Sequence, residues 1–307
     1  MNCPLCRSSD LETAGTLSLE LLARMYKKML DMDVSRLFLG KDLAYMRCGQ
    51  CDLRFFSPMV TGDEAFYNAL QKLPWYYQDE KAEYAMAREF ITPADKLLEV
   101  GCGKGAFADM LPGSDYMGLD LSPRAKELAL EKGVRVECET IETHAVKFPA
   151  TYDIVCSFQV LEHVTDAYSF LKASVDCLKS GGRLIIAVPS EDSYVRGLVN
   201  AVLNMPPHHN LRWSDACLRS IADLFSLRTE ALVHERVQQY HVPGYLSALA
   251  TCLVNKTIGR RQPMLDESLA YRLVNRVASK FSRMFKESYP VEMLPHGHTV
   301  LTVFSKH

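Results

Sequence analysis

The chain predicts an α/β fold: a doubly wound, mainly parallel sheet, with a four-cysteine module ahead of it and a helical insertion before its last strand. Three observations carry that prediction. Leu97 to Ala106, Leu-Leu-Glu-Val-Gly-Cys-Gly-Lys-Gly-Ala, runs from an apolar strand into a turn with three glycines. Strand and helix patterns then alternate with short links as far as Val188, as right-handed crossovers on a sheet covered on both faces require. Two Cys-x-x-Cys pairs, Cys3/Cys6 and Cys48/Cys51, precede all of this.

Composition sets the bounds. With 307 residues and 48% apolar content the chain can bury a large core, and a formal charge of −2 gives no overall basic field for nucleic acid. The start, Met1-Asn2-Cys3-Pro4, lacks a charged segment followed by an apolar run, and no window reaches the roughly 18 apolar residues of a membrane span, so a cytoplasmic protein is expected. Ten cysteines in such a chain point to metal ligation and buried thiols rather than disulfides. The expected organisation is a zinc-binding module over 1–60, a helical connection over 61–95, the core over 96–235, a helical insertion over 236–295 and the last strand over 296–307.

Four thiolates from Cys3, Cys6, Cys48 and Cys51 suit a tetrahedral zinc ion, and a site of four cysteines is closed and structural. The 41 residues between the pairs exceed ribbon spacing, and Leu19 to Tyr26 is expected to form a helix inserted there. Two unrelated cysteine pairs, or a redox dithiol, are the alternatives. The other six cysteines lie in largely apolar segments, where buried packing is expected.

Along the core we expect strand 97–101, helix 104–111, strand 116–120, helix 123–132, strands 134–138 and 152–157, helix 167–178 and strand 183–188. Gly101, Gly103 and Gly105 let the backbone bend sharply and a ligand lie against it, facing the free N–H groups of the next helix. The spacing also satisfies a dinucleotide fingerprint, so a nicotinamide enzyme is a rival. Glu99, at the strand tip, favours an ammonium group there and would repel a pyrophosphate. Asp120, in Gly118-Leu119-Asp120-Leu121-Ser122, follows the second strand, where a carboxylate can accept both hydroxyls of a ribose. Thr140 and Ile141 follow the third strand and form either an adenine contact or an ordinary polar loop. Val160-Leu161-Glu162-His163 follows the fourth.

Taken in order, Glu99-Val100-Gly101-Cys102-Gly103-Lys104-Gly105, Gly118-Leu119-Asp120, Phe158-Gln159-Val160-Leu161-Glu162-His163-Val164 and the run Leu178 to Pro189 resemble the class I S-adenosylmethionine-dependent methyltransferases over roughly residues 95–235 and the final strand. The resemblance implies a Rossmann-like sheet of seven strands ending antiparallel, with 226–234 and 298–305 as its last two. It also implies a glycine turn that receives the methionine portion and an Asp120 that holds the ribose. Thr140 departs from the pattern, since many relatives carry an acidic adenine contact there. The cysteine pairs, Phe66-Tyr67, Trp75-Tyr76-Tyr77, Lys81 and the run Pro206 to Trp213 further resemble a bacterial group with a zinc-binding head that modifies glycans or secondary metabolites. The cofactor-side residues so implied are Glu99, Gly101, Gly103, Gly105, Asp120, Leu121, Thr140, Ile141, Gln159, Tyr77 and Lys81.

Methyl transfer is an in-line displacement that depends mainly on alignment, and a hydroxyl acceptor must in addition lose a proton, for which histidine suits neutral pH. The candidates are His163, at the mouth of the fourth strand, and His208 and His209, in a Pro-rich connection after an apolar segment, 195–199, expected to form a helical lid. Tyr77 and Lys81 either reach the cofactor carboxylate or are a core residue and a solvated charge. In the insertion, Arg272, Arg276, Lys280, Arg283 and Lys286 alternate with Leu273, Val277, Phe281 and Phe285, giving a basic amphipathic stripe that either touches an anionic membrane or packs on its own domain. A small-molecule or glycan acceptor is expected. An RNA methyltransferase with a zinc module is the alternative, weakened by the slightly acidic balance and by Ser157-Phe158-Gln159-Val160, which lacks the Asn-Pro-Pro-aromatic signature. A further alternative is a cofactor-binding protein without catalysis.

Overall fold

The computed structural model describes residues 1–73, 81–284 and 295–307. Trp75, Tyr76, Tyr77, Phe285 and Lys286 lie outside these residues.

The head begins with β1 (Leu11–Leu17), α1 (Leu19–Leu30), β2 (Leu43–Cys48) and β3 (Arg54–Ser57). Ser18 caps α1 by accepting the Leu21 amide, and the helix buries Leu22 and Tyr26. The inserted helix expected from Leu19 is this element. Two short helices follow, α2 (Glu64–Leu70) and α3 (Ala82–Arg88).

The core then runs through β4 (Lys96–Val100), β5 (Asp115–Leu119), α4 (Pro123–Glu131), β6 (Val136–Glu137), α5 (Ile141–Lys147), β7 (Tyr152–Phe158), α6 (Ala167–Cys177) and β8 (Leu178–Pro189). After β8 come β9 (Leu211–Arg212), α7 (Asp215–Phe225), β10 (Leu227–Arg236), α8 (Val242–Thr257), α9 (Leu269–Met284) and β11 (His296–Lys306). The large sheet has the order β10-β11-β8-β7-β4-β5-β6. Its strands β8, β7, β4, β5 and β6 are parallel, and β11 is antiparallel to both β8 and β10. This is the doubly wound, seven-stranded sheet that the sequence predicts. Strand order reverses between β4 and β7, and a ligand crevice opens at such a switch point.

Two expectations for helices fail. Residues 104–111 form turns and a single 3₁₀ turn at Ala108–Met110, because Gly103 and Gly105 hold φ of +54° and +76°, which interrupts a right-handed helix. The backbone at the glycine turn therefore approaches the crevice as a loop. Residues 195–199 supply only the 3₁₀ turn Tyr194–Gly197, which is pinned where Gly197 backs onto Cys252 of α8, and the chain leaves it extended at Leu198. Thr140 and Ile141, for which a polar loop is the alternative, instead cap and open α5.

Head and core are built together. β9, from the segment after β8, completes the head sheet by pairing Leu211 with Phe55. Cys3, Leu5, Cys48, Cys51 and Phe55 share one apolar cluster with Leu98, Val155 and Ile186 of the large sheet. The opposite face packs Tyr84, Phe107 and Phe158 in mutual ring contact. No helix among the described residues is long and apolar enough to cross a membrane.

Candidate active site and cysteine centre

At the carboxyl ends of β4, β5 and β7 lies a cavity of about 390 Å³. One wall is the glycine turn. Gly101 and Cys102 both donate their amides to Leu119 O, at 2.7 and 3.0 Å, which ties the turn to the end of β5. A Cβ on Gly101 would lie 2.2 Å from Val160 Cγ2, whereas one on Gly103 would meet no atom within 4 Å among the described residues beyond its chain neighbours, and Gly103 lines the cavity. Asp120 closes the arrangement: Oδ2 accepts the Gly103 amide and Oδ1 the Ser122 amide, each at 2.8 Å. Burial raises its pKa and these two amides oppose the shift.

The sequence-derived residues divide here. Gly101, Gly103, Asp120, Gln159 and Lys81 line the cavity. Gln159, held at φ +58°, donates its side-chain amide to Glu83 at 3.3 Å and Thr299 at 3.1 Å. Glu99 sits behind the wall, 1% exposed, with its carboxylate taking the Tyr116 hydroxyl; burial pushes its pKa up to about 7 against that bond. Gly105 backs onto Val134, where a Cβ would come within 2.8 Å. Leu121 is exposed to solvent, Thr140 caps α5 by accepting the Thr143 amide, and Ile141 is packed in the core. Tyr77 lies outside the described residues.

The opposite wall carries the three candidate histidines. The loop that precedes β9 docks on the loop after β7 when the Asn210 and Leu211 amides both donate to Glu162 O, at 2.9 and 3.1 Å. That docking brings His208 and His209 to His163, with ring centres 4.5 and 4.8 Å from it. Each Nδ1 faces an oxygen: His163 meets His208 O at 2.7 Å, His208 meets Leu203 O at 2.8 Å and His209 meets Asn204 Oδ1 at 3.2 Å. An oxygen acceptor requires the proton on Nδ1, leaving Nε2 with its lone pair. Burial keeps all three rings neutral, with His163 pushed down to about 4. Glu162, 1% exposed, stands 3.9 Å from His163 Nε2 and 3.8 Å from His209 Nε2. Neither carboxylate oxygen of Glu162 has a hydrogen-bond partner among the described residues, and burial raises its pKa to about 8.

Sequence reasoning missed the rest of this wall. Glu235, His241, His298 and Thr299 arrive from β10, the 3₁₀ turn just before α8, and β11, far along the chain. One signal was available: the cavity gathers five of the chain's nine histidines.

The cysteine pairs form a second centre. Ligand atoms of Cys3, Cys6, Cys48 and Cys51 all lie within 4.8 Å of one another, with Cys3–Cys51 at 3.6 Å and Cys6–Cys48 at 3.5 Å. These separations exclude disulfides and approach the ~3.8 Å edge of a tetrahedron with metal–sulfur bonds of about 2.3 Å. The two turns match: Arg7 and Asp52, each following the second cysteine, take left-handed φ and donate their amides to Cys3 O and Cys48 O.

Against known proteins, residues 98–186 match the family described as "Methyltransferase domain". That part of the core is similar to a methyltransferase domain. The ubiquinone biosynthesis O-methyltransferase of Photorhabdus laumondii is 34% identical over 139 residues, covering 41% of this chain and 58% of that protein. Its Escherichia coli O127:H6 counterpart is 36% identical over 124 residues, 36% of this chain and 52% of that protein. This chain thus spans little more than half the length of the curated relatives it matches. A solved SAM-dependent methyltransferase from Archaeoglobus fulgidus aligns at 16% identity with a TM-score of 0.49, covering 80% of this chain and all of that one. The stretch matched by the family takes in the glycine turn, Asp120 and His163. The head, His208, His209 and the α8–α9 hairpin lie outside it.

Proposed function

We propose that this chain transfers a methyl group from S-adenosylmethionine to a hydroxyl of a small-molecule or glycan acceptor. The observation that carries the reading is the pairing of two opposed walls in one cavity: the Asp120–Gly103 clasp on one side and a carboxylate among neutral imidazoles on the other. When bound, the cofactor supplies a methyl group already activated on a sulfonium. Asp120, with lone pairs beyond those given to the Gly103 and Ser122 amides, would hold the ribose hydroxyls, and the bare backbone at Gly103 would receive the methionine portion. Lys81 and Gln159 line the approach to it, and Glu99 braces the turn from behind through Tyr116. Leu121, Thr140 and Ile141 lie beside this region rather than in the cavity wall.

On the acceptor side, His163 and His209 present Nε2 lone pairs that orient a hydroxyl, and His208 holds His163 through its carbonyl. A ring whose pKa has fallen to about 4 takes a proton poorly, so the base is Glu162, which burial makes the stronger acceptor. A mainly positioning enzyme of this kind can lower the barrier by about 7–11 kcal/mol.

Cys3, Cys6, Cys48 and Cys51 would hold a structural zinc ion that leaves no open position for substrate. The insertion would rest on an anionic membrane: Leu269, Leu273, Val277 and Phe281 follow one another at four-residue spacing on α9 with exposures of 80, 64, 56 and 54%, flanked by the exposed Arg272, Arg276 and Lys280.

The test is calorimetric titration with S-adenosylhomocysteine and with a nicotinamide dinucleotide, followed by mass spectrometry of hydroxylated acceptors incubated with methyl-labelled cofactor. Saturable binding of the former and one acceptor gaining the label are expected. Binding of the dinucleotide instead, or cofactor binding with no acceptor labelled in extracts, sinks the reading.

A further inference from the structure

A second cavity, of about 890 Å³, lies between the head sheet, the loop after β8 and the helical insertion. Five arginines line it, Arg47, Arg54, Arg196, Arg212 and Arg261, against two glutamates, Glu12 and Glu191. Arg54 and Arg212 are only 9% and 7% exposed. A guanidinium cannot shed its charge, so a buried one needs acceptors for its N–H groups.

Those acceptors are incomplete. Glu191, 3% exposed, sits among the arginines but keeps 3.9 Å from Arg54 Nη1, 3.8 Å from Arg212 Nη1 and 3.9 Å from Arg196 Nε, too far for hydrogen bonds. Its carboxylate accepts instead from the Tyr45 hydroxyl at 3.1 Å. Arg54 Nη1 and Arg212 Nε have no hydrogen-bond partner among the described residues, which is uncommon for buried donors. Meanwhile Arg212 is fixed in place, donating from Nη2 to Asn204 O at 2.8 Å while its guanidinium lies 5.3 and 5.4 Å from the Tyr45 and Phe56 ring centres. Arg47 is paired with Asp52 at 2.5 Å and Glu12 at 3.0 Å, and Arg54 Nη2 stands 3.6 Å from Asp52. Planar donor forks left over on Arg54, Arg196, Arg212 and Arg261 around the one buried Glu191 suit an oxyanion that has several acceptor oxygens.

We propose that this cavity binds the phosphate or diphosphate group of a phosphorylated molecule and, resting on the methyl-transfer reading, that this molecule is the acceptor. Tyr194 lines the arginine cavity, and its ring lies 6.2 Å from that of His241, which lines the cavity at the strand ends. A ligand anchored among the arginines can therefore extend past Tyr194 toward the transfer site.

The test is titration of the full chain with inorganic pyrophosphate in the presence of S-adenosylhomocysteine, whose own binding is measured separately. Saturable binding that weakens with salt is expected. Arg196→Gln and Arg261→Gln, both at the rim, should each weaken it about tenfold while leaving S-adenosylhomocysteine affinity unchanged. Arg54→Lys keeps the charge but loses the fork and should weaken it at least as much, with an unchanged melting curve to establish that the variant folds. Failure of the wild-type chain to bind pyrophosphate, or rim variants that bind it equally well, overturns the proposal. Loss of S-adenosylhomocysteine binding alone would strike the methyl-transfer reading and leave the arginine cavity standing. Release of the protein from phosphatidic acid vesicles by pyrophosphate would put the phosphate on a lipid; pyrophosphate binding without such release puts it on a soluble molecule.

Discussion

The Asp120 carboxylate accepts the Gly103 amide at 2.8 Å, across the ends of two neighbouring parallel strands. One side chain thereby sets the shape of the bend opposite it, and among the described residues beyond its chain neighbours no atom lies within 4 Å of where a Gly103 Cβ would be. This single carboxylate ties the glycine turn after β4 to the end of β5.

Replacing Asp120 by Asn should weaken S-adenosylhomocysteine binding about 10- to 100-fold, the equivalent of roughly 1.5–3 kcal/mol for a charge-assisted hydrogen bond. The amide keeps the size but loses the charge, and one of its two faces then meets a backbone N–H as a donor. Gly101→Ala should act from the other side, since the new methyl would press on Val160 and displace the loop that carries Glu162 and His163. Calorimetry on both variants is the check; an Asp120→Asn affinity within about twofold of wild type would refute the clasp.

Glu162 predicts the pH dependence. A carboxyl raised to about 8 is mostly protonated at neutral pH, and only its ionised form accepts a proton, so the transfer rate should climb as pH rises through about 8 and level off above it. His163, already neutral above about 4, contributes no inflection in that range. Glu162→Gln should lower kcat by about 10²- to 10⁴-fold and abolish the climb, read as single-turnover rates across pH. An unchanged profile in the variant would assign the proton to another group.

Strand positions and the cavity wall made by the glycine turn and Asp120 were legible in the sequence because both are local, whereas Glu99, Gly105, Leu121, Thr140 and Ile141, read as facing the same ligand, do not line the cavity. A run such as Leu97–Gly101 signals burial within five residues, and Asp120 follows its strand directly. The helix expected over 104–111 does not form because the positive φ of Gly103 and Gly105 turns the backbone out of the right-handed helix. The histidine wall was only half legible. His208 and His209 were singled out as residue types, but their approach to His163 depends on the Asn210 and Leu211 amides finding Glu162 O, a contact across 48 residues with no periodic signature. The arginine cavity was invisible for the same reason, since its members come from four separate stretches of chain.

The cysteine centre makes a prediction that separates head from core. Cys48→Ser removes one of four soft ligands, so metal content measured by plasma emission should fall from about one zinc per chain to near zero, with a lower melting temperature. S-adenosylhomocysteine affinity should hold within about twofold, because none of Cys3, Cys6, Cys48 and Cys51 lines the cavity that holds Gly103 and Asp120. Acceptor KM should rise, because β9 pairs with β3 and leads directly from the loop that carries His208 and His209. Full metal content in the variant would exclude these thiols as ligands.

The α8–α9 hairpin gives the last prediction. The exposed leucines and Phe281 alternate along α9 with Arg272, Arg276 and Lys280, so apolar insertion and attraction to anionic headgroups act on the same face. The chain should float with vesicles containing phosphatidylglycerol and remain in solution with phosphatidylcholine alone. Raising salt from low to physiological strength should weaken the association, since exposed charges are screened beyond about 8 Å. Leu273→Ser combined with Val277→Ser should release the protein at either salt concentration without changing its melting temperature, because both side chains are more than half exposed and support little of the fold. Equal flotation of wild type and double variant would show that this face does not meet the membrane.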